Sequence, residues 1–301
     1  MNKIIFLKPY FKKTLWANDN IKKMYHLQNN VGEAWLISTI NKHESIVKGS
    51  EQKFSDFIKE NPSFFNLTKE RVQTFVYPNL TKFLDAKLPL SIQVHPDDEY
   101  AQKLGSLGKN ECWYVLKNSQ EPFILGTNTT DIRIIEQNIN TKNIEQYLNK
   151  VPLQVNDFVS IESGLVHGIP ADTLVFELQQ SSDITYRLYD YERVDELGQK
   201  RQIHIKESLE TIKLNLKPKV QKQLTNGFYQ TKNFNLTKLE LNNQELKVST
   251  HLAKHCVEIV IYQGEGFINS IKIKAGDVLI VSKQALNFKL KGQIKLFLNY
   301  L

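Results

Sequence analysis

Short apolar runs of strand length recur along the chain: LPLSIQV (88–94), CWYVL (112–116), DFVSI (157–161), TLVFEL (173–178), VEIVIY (257–262) and DVLIV (277–281), several bounded by Gly, Pro or Asn. They predict a mainly β protein. Helical spacing is confined to Phe54, Phe57 and Ile58 ahead of Pro62, to Ile144, Tyr147 and Leu148, and to Ile205, Leu209 and Ile212. Those helices read as accessories or connectors. The polar segment 213–227 that follows reads as a link, dividing the chain near residue 215 into residues 1–215 and a smaller β unit over residues 216–301. In that second unit a turn around Gly264 and Gly266, then Ile271, Ile273, Gly276-Asp277 and Val278, predicts a small barrel with its own hairpins. The segment GDVLIVSKQALNF (276–288) loosely echoes NDFVSIESGLVHG (156–168), with no histidine where the first has His167.

One strand carries polar groups where a purely structural strand would not need them. In Pro89-Leu90-Ser91-Ile92-Gln93-Val94-His95-Pro96 alternation sends Leu90, Ile92 and Val94 to one face and Ser91, Gln93 and His95 to the other. On an edge strand that second row can simply be solvated. Gln and His are unusual choices for a solvated face in a Lys-rich chain, however, and Pro96 with Asp97-Asp98-Glu99 stops the strand as at a barrel rim. Glu111, at the start of the apolar strand after Gly108, brings a carboxylate near a mouth, with Lys109 two residues earlier. His167 lies in the Gly- and Pro-rich turn Ser163-Gly164-Leu165-Val166-His167-Gly168-Ile169-Pro170. Two neutral imidazoles, a carboxylate and an amide oxygen suit a borderline divalent cation such as zinc, and a hydrogen-bonded core histidine is the structural alternative. In the stretch 177–190, Glu177 and Gln179 share one strand face, and Thr185, Arg187 and Tyr189 share another. Arg187 there can grip a phosphate or a developing oxyanion, assisted by Lys109, or pair structurally with Asp190 or Glu177.

Composition narrows the function classes. Hydrophobic residues at 41% and charged residues at 24% are ordinary globular usage, which excludes a disordered or low-complexity chain. No apolar stretch reaches membrane-spanning length, and the N-terminal apolar run of residues 4–7 is short for a secretory leader, so the cytoplasm is expected and no membrane partner. Cys112 and Cys256 lie far apart, and no disulfide is expected. Cys112, beside Glu111, reads as a small core residue on the opposite strand face. The net charge of +7 favours anionic partners, but scattered lysines without a basic run point to a small phosphorylated ligand rather than nucleic acid. His251 and His255 are spaced for a helix face yet precede a strand, and His26, His43 and His204 have no convergent partners in the sequence.

At LDAKLPLSIQVHPDDEYA (84–101), GKNECWYVL (108–116), SGLVHGI (163–169) and ELQQSSDITYRLYDYER (177–193), with Gly32-Glu33-Ala34-Trp35 upstream, the chain resembles the type I mannose-6-phosphate isomerase family in its short bacterial form. The resemblance runs from about Trp16 to Leu214 and more vaguely beyond. It implies a cupin-like double-stranded β-helix barrel with a few accessory helices, plus a smaller C-terminal β-barrel without metal ligands. It further implies one zinc ion on Gln93, His95, Glu111 and His167, a catalytic role for Arg187, Lys109 and Glu177, and substrate contacts from Ser91, Lys109 and Arg187. Ala17-Asn18 stand where the family usually has two glycines, Asn156 where it has glycine, and Glu162 where it has proline.

The reaction so implied interconverts mannose 6-phosphate and fructose 6-phosphate through an enediol-type proton transfer, with Glu177 or a water on the ion carrying the proton. Oligomeric state is not legible. Two other readings are a non-enzymatic cupin that binds a sugar phosphate as sensor or regulator, and an iron-dependent cupin oxygenase. The latter favours a His-rich shell, which Gln93 does not fit.

Overall fold

The computed structural model describes residues 3–222 and 226–301; residues 223–225 of the expected link lie outside them. The described strands form three sheets with few helices, as the spacing of apolar runs predicts. A seven-stranded antiparallel sheet runs in the order Lys219–Gln221, Phe158–Ile161, Glu111–Lys117, Thr173–Gln180, Asn79–Ala86, Glu33–Ile37, Tyr10–Lys12. A five-stranded sheet runs Leu148–Val151, Phe123–Thr127, His167–Gly168, Ile92–Val94, Tyr186–Tyr189.

Period-two alternation explains how these layers stack. In Glu111–Lys117, Trp113 and Val115 join a core with Phe123 and Leu125 of the five-stranded sheet and with Ile169 just past its His167–Gly168 strand. Cys112 and Tyr114, one residue out of phase, face the opposite way into a core shared with Tyr229 and Phe297 of the third sheet. That interface is aromatic. Phe176 stacks on Phe297 at 4.0 Å and Phe158 on Tyr229 at 4.2 Å. Each ring so buried contributes roughly 1.5–3 kcal/mol, and Cys112 lies on the face expected of it.

The third, nine-stranded sheet holds the C-terminal strands and also the beginning of the chain. Ile4–Lys8 pairs antiparallel with Val278–Ser282, and Ile46–Val47 and Gln52–Lys53 extend the same edge. In the other direction, Lys219–Gln221 pairs with Phe158–Ile161. The hydrogen-bonded sheets thus cross residue 215 both ways.

Four local expectations give way. Gly264 and Gly266 lie inside the long strand Cys256–Ile268 rather than in a turn. They are glycines because that strand runs against Asn287–Tyr300 so closely that an added Cβ would sit 1.9 Å from the Gln293 carbonyl oxygen and 2.2 Å from that of Lys291. The Ile144–Leu148 periodicity yields a 3-10 helix, Lys142–Tyr147, and Leu148 already opens a strand. Of the run 88–94 only Ile92–Val94 is strand, since Pro89 has no N–H for the ladder. Finally, a register shift between Arg187 and Tyr189 breaks the expected common face of Thr185, Arg187 and Tyr189. Arg187 stays on the polar side, while Leu188 and Tyr189 both join an apolar core. The helices Phe54–Glu60 and Ile205–Thr211 form where the spacing placed them.

Candidate active site

The polar row of the 89–96 segment meets its partners through strand register. Gln93 stands directly opposite His167 on one neighbouring strand and Arg187 on the other, which places the three side chains on one face. From the facing sheet, Glu111 arrives at the first position of its strand, opposite Gln179. His95, just past the strand end, lies 3.4 Å through Nε2 from Glu111 Oε2, and His167 Nε2 lies 3.5 Å from Glu111 Oε1. All three side chains are buried, and their ligand atoms fall within 4.8 Å of one another.

Hydrogen bonding fixes the chemistry of these atoms. His167 Nδ1–H donates to the Leu165 carbonyl at 2.8 Å, which leaves Nε2 as a bare lone pair. Lys109 Nζ donates to His95 Nε2 at 2.8 Å, so that nitrogen too presents a lone pair. The two Nε2 atoms face each other at 3.2 Å. Among the described residues neither Glu111 oxygen accepts a well-formed hydrogen bond, and Lys109 Nζ, 3.1 Å from Oε2, makes an ion-pair contact with it. Burial drives the His167 imidazolium down to about 4 and His95 well below its ordinary value, with the Lys109 charge adding to both. Burial likewise pushes the Glu111 carboxyl up, against the pull of Lys109. Converging lone pairs and an unsatisfied buried carboxylate are a donor set for a divalent cation. A carbonyl behind His167 is the usual outer support for such a ligand.

A cavity of about 580 Å³ opens beside this cluster, lined among others by Ser91, Gln93, Lys109, Glu177, Thr185 and Arg187. Arg187 forms no salt bridge among the described residues: Asp190, one of the two alternative partners, is taken by Arg193 and Arg201. Its Nε is buried without a hydrogen-bond partner among the described residues. Glu177 pairs instead with Lys82 at 3.2 Å and accepts the Trp113 indole N–H at 2.9 Å. Although burial pushes its carboxyl up, Lys82, Lys109 and the Trp113 bond outweigh that and hold it below the ordinary value. Lys82 also donates to Gln179 at 2.8 Å and lies 4.8 Å over the Trp35 ring.

All the residues expected at the site therefore come to one region: His95, Glu111 and His167 as a cluster, with Ser91, Gln93, Lys109, Glu177 and Arg187 on the cavity wall. Sequence reasoning missed Lys82, Glu33 and Trp35. The signal was a lysine set among Leu80, Phe83 and Leu84 in the strand Asn79–Ala86, whose residues are all buried, since lysine is almost never buried unpaired. At the departures from the family pattern, Asn156 adopts φ 75°, a left-handed conformation that asparagine tolerates. Asn18 is tied by its N–H to the Asp85 carbonyl and by its side-chain amide to Ala86. His251 bonds to Ser249 two residues away and His255 to the Phe65 carbonyl of a distant segment, so each ring has a partner of its own.

Residues 5–131 match the model of the phosphomannose isomerase type I catalytic domain. Over 218 residues, 69% of this chain and 68% of its relative, the sequence is 36% identical to the probable mannose-6-phosphate isomerase GmuF of Bacillus subtilis. It is 30% identical over 99% of its length to mannose-6-phosphate isomerase ManA of the same organism, covering 98% of that protein. The crystal structure of the mannose 6-phosphate isomerase from Bacillus subtilis superposes with a TM-score of 0.87 at 27% identity, covering 100% of both chains. A putative mannosephosphate isomerase from Archaeoglobus fulgidus shares the fold, with a TM-score of 0.82 at 17% identity and coverage of 100% and 98%.

Proposed function

The chain belongs to the type I phosphomannose isomerase family, and on that premise we propose that it interconverts mannose 6-phosphate and fructose 6-phosphate with one divalent ion, zinc, held by His95, Glu111, His167 and Gln93. The observation that carries the metal is the pair of imidazole nitrogens facing each other at 3.2 Å beside a buried carboxylate that, among the described residues, has the Lys109 ion pair but no well-formed hydrogen bond. A zinc ion held there would supply Lewis-acid chemistry, polarising the sugar oxygens on which negative charge builds.

The chain's own groups divide the remaining work. Arg187, with an unpaired guanidinium on the cavity wall, grips the phosphate, a task that suits its planar fork. Ser91 contacts the substrate from the adjacent strand. Lys109 places a positive charge against the ligand atoms of His95 and Glu111 and adds to the field that stabilises an enediolate. Glu177, kept ionised by Lys82, is the carboxylate that takes a proton from one carbon and returns it to the next. The chemistry is assigned to residues 1–215. Residues 216–301 serve as a supporting unit without metal ligands, and the cytoplasm is the expected location. No observation favours a sensor or an iron oxygenase.

The test is a coupled assay of aldose–ketose conversion on protein stripped with chelator and then reloaded. Activity lost with the metal and regained with zinc supports the proposal. The companion variant His95→Ala loses both zinc and turnover while its β-rich circular dichroism survives. A stripped protein or a metal-free His95→Ala variant with normal turnover refutes the metal assignment.

A further inference from the structure

Among the described strands, Tyr186–Tyr189, which carries Arg187, is the last of its sheet and pairs only with Ile92–Val94. An edge strand leaves main-chain groups without partners on its open side. At Arg187 both of them are taken by one residue. The Arg187 N–H donates to His204 Nδ1 at 3.1 Å, and the His204 N–H donates to the Arg187 carbonyl at 2.9 Å. His204 thereby does at a single position what a further strand would do.

Three consequences connect this contact to the cavity. Because both main-chain groups of Arg187 point outward, Arg187 and Gln93 form a pair without mutual hydrogen bonds, the kind in which facing side chains stand closest. The ladder slips register immediately after Arg187 and resumes only at Tyr189, opposite Ile92, so the pairing with Ile92–Val94 is irregular on the C-terminal side of Arg187. The guanidinium makes no salt bridge among the described residues, and its buried Nε has no partner, so its aim is set by the backbone beneath it. His204 itself is well anchored. It immediately precedes the helix Ile205–Thr211, whose Leu209 packs into the same core as Tyr186 and Leu188, and its ring lies 5.8 Å from that of Tyr186.

We infer that His204 is a positioning residue for Arg187: its Nδ1, as hydrogen-bond acceptor, holds the arginine-bearing edge strand in the register that aims the guanidinium into the cavity. The role requires a neutral imidazole with its proton on Nε2. Burial and the Arg187 charge both favour the neutral form, and together they outweigh the opposing charge of Glu207.

The inference rests on the isomerase reading, and the experiment separates the two. Steady-state kinetics on mannose 6-phosphate are measured with bound zinc for the wild type, His204→Ala, His204→Asn and His204→Gln. An Asn carbonyl can occupy the place of Nδ1, whereas a Gln carbonyl reaches that of Nε2. Loss of aim at the phosphate raises KM by about tenfold in His204→Ala with kcat and zinc content little changed, as expected when one charged contact weakens. His204→Asn returns KM to near the wild-type value and His204→Gln does not. A wild-type KM in His204→Ala, a KM that rises only in step with lost zinc, or Asn and Gln variants that behave alike overturns the inference. If His204→Ala does not fold, the Asn and Gln pair decides by the same criterion. A zinc-loaded wild type inactive on mannose 6-phosphate instead defeats the isomerase reading, and the inference with it.

Discussion

Replacing Lys82 by methionine tests the buried charge network that keeps Glu177 ionised. Lys82 Nζ lies 3.2 Å from Glu177 Oε1 and 3.8 Å from Glu33 Oε2, and it donates to Gln179 at 2.8 Å. The side chains of Lys82 and Glu177 are only 6% and 3% exposed. At an effective dielectric near 20, two unit charges at that separation attract by about 5 kcal/mol. Desolvation offsets much of this attraction, but removing one partner strands the other, and such losses amount to about 3–5 kcal/mol. In Lys82→Met the Glu177 carboxylate keeps the Trp113 indole as its donor and loses its nearest cation. Urea unfolding followed by tryptophan fluorescence should register a cost in that range, since Trp16 and Trp35 line the cavity and Trp113 bonds Glu177. The double variant Lys82→Met/Glu177→Gln removes the stranded charge and should recover at least half of the loss. Linkage gives the matching pH signature. In the wild type Glu177 sits below its ordinary 4.5, so its contribution is present above that value and is lost as acid protonates it. Without Lys82, burial dominates, the carboxyl rises, and stability instead falls as pH climbs through the raised value. The acid limb of kcat moves to higher pH in parallel. A cost below about 1 kcal/mol, or a double variant less stable than the single one, refutes the reasoning.

Two further outcomes follow from other parts of the molecule. Arg187→Ala should raise KM for mannose 6-phosphate by about 10- to 100-fold, the worth of hydrogen bonds to a charged group, with zinc content unchanged; a KM near wild type removes Arg187 from the phosphate. Glu258, buried where the C-terminal sheet meets Tyr77 and Asn79, accepts from Tyr77, Asn79 and Asn299, yet burial still holds its carboxyl above 4.5. Its contribution is therefore complete in acid and declines as pH rises through the raised value. Glu258→Gln should flatten that decline in a thermal-melt series over the same range, and an unchanged pH dependence contradicts it.

Much of the site was legible because strand alternation is a rigid rule. Ser91, Gln93 and His95 share a face whether or not their strand is fully hydrogen-bonded, and Glu111 opens its strand as the Gly108 turn suggested. The convergence of four distant segments was not a matter of spacing, and there the family resemblance supplied what periodicity lacked. Tyr189 was misplaced because a register shift is an interaction between strands and leaves no mark in one strand's own pattern. Gly264 and Gly266 read as a turn for a similar reason: the approach that demands them comes from Gln293 and Lys291, on a strand far along the chain. Lys82 went unread because its partners Glu33 and Glu177 lie on the two neighbouring strands, and only the sheet order shows that its charge is matched.

The most direct measurement is anomalous scattering at the zinc edge from a crystal soaked with fructose 6-phosphate. The account predicts one peak per chain enclosed by His95, Glu111, His167 and Gln93, with the sugar in the adjoining cavity and its phosphate on the Arg187 guanidinium. An absent peak, a peak elsewhere on the molecule, or a phosphate seated away from Arg187 would contradict it.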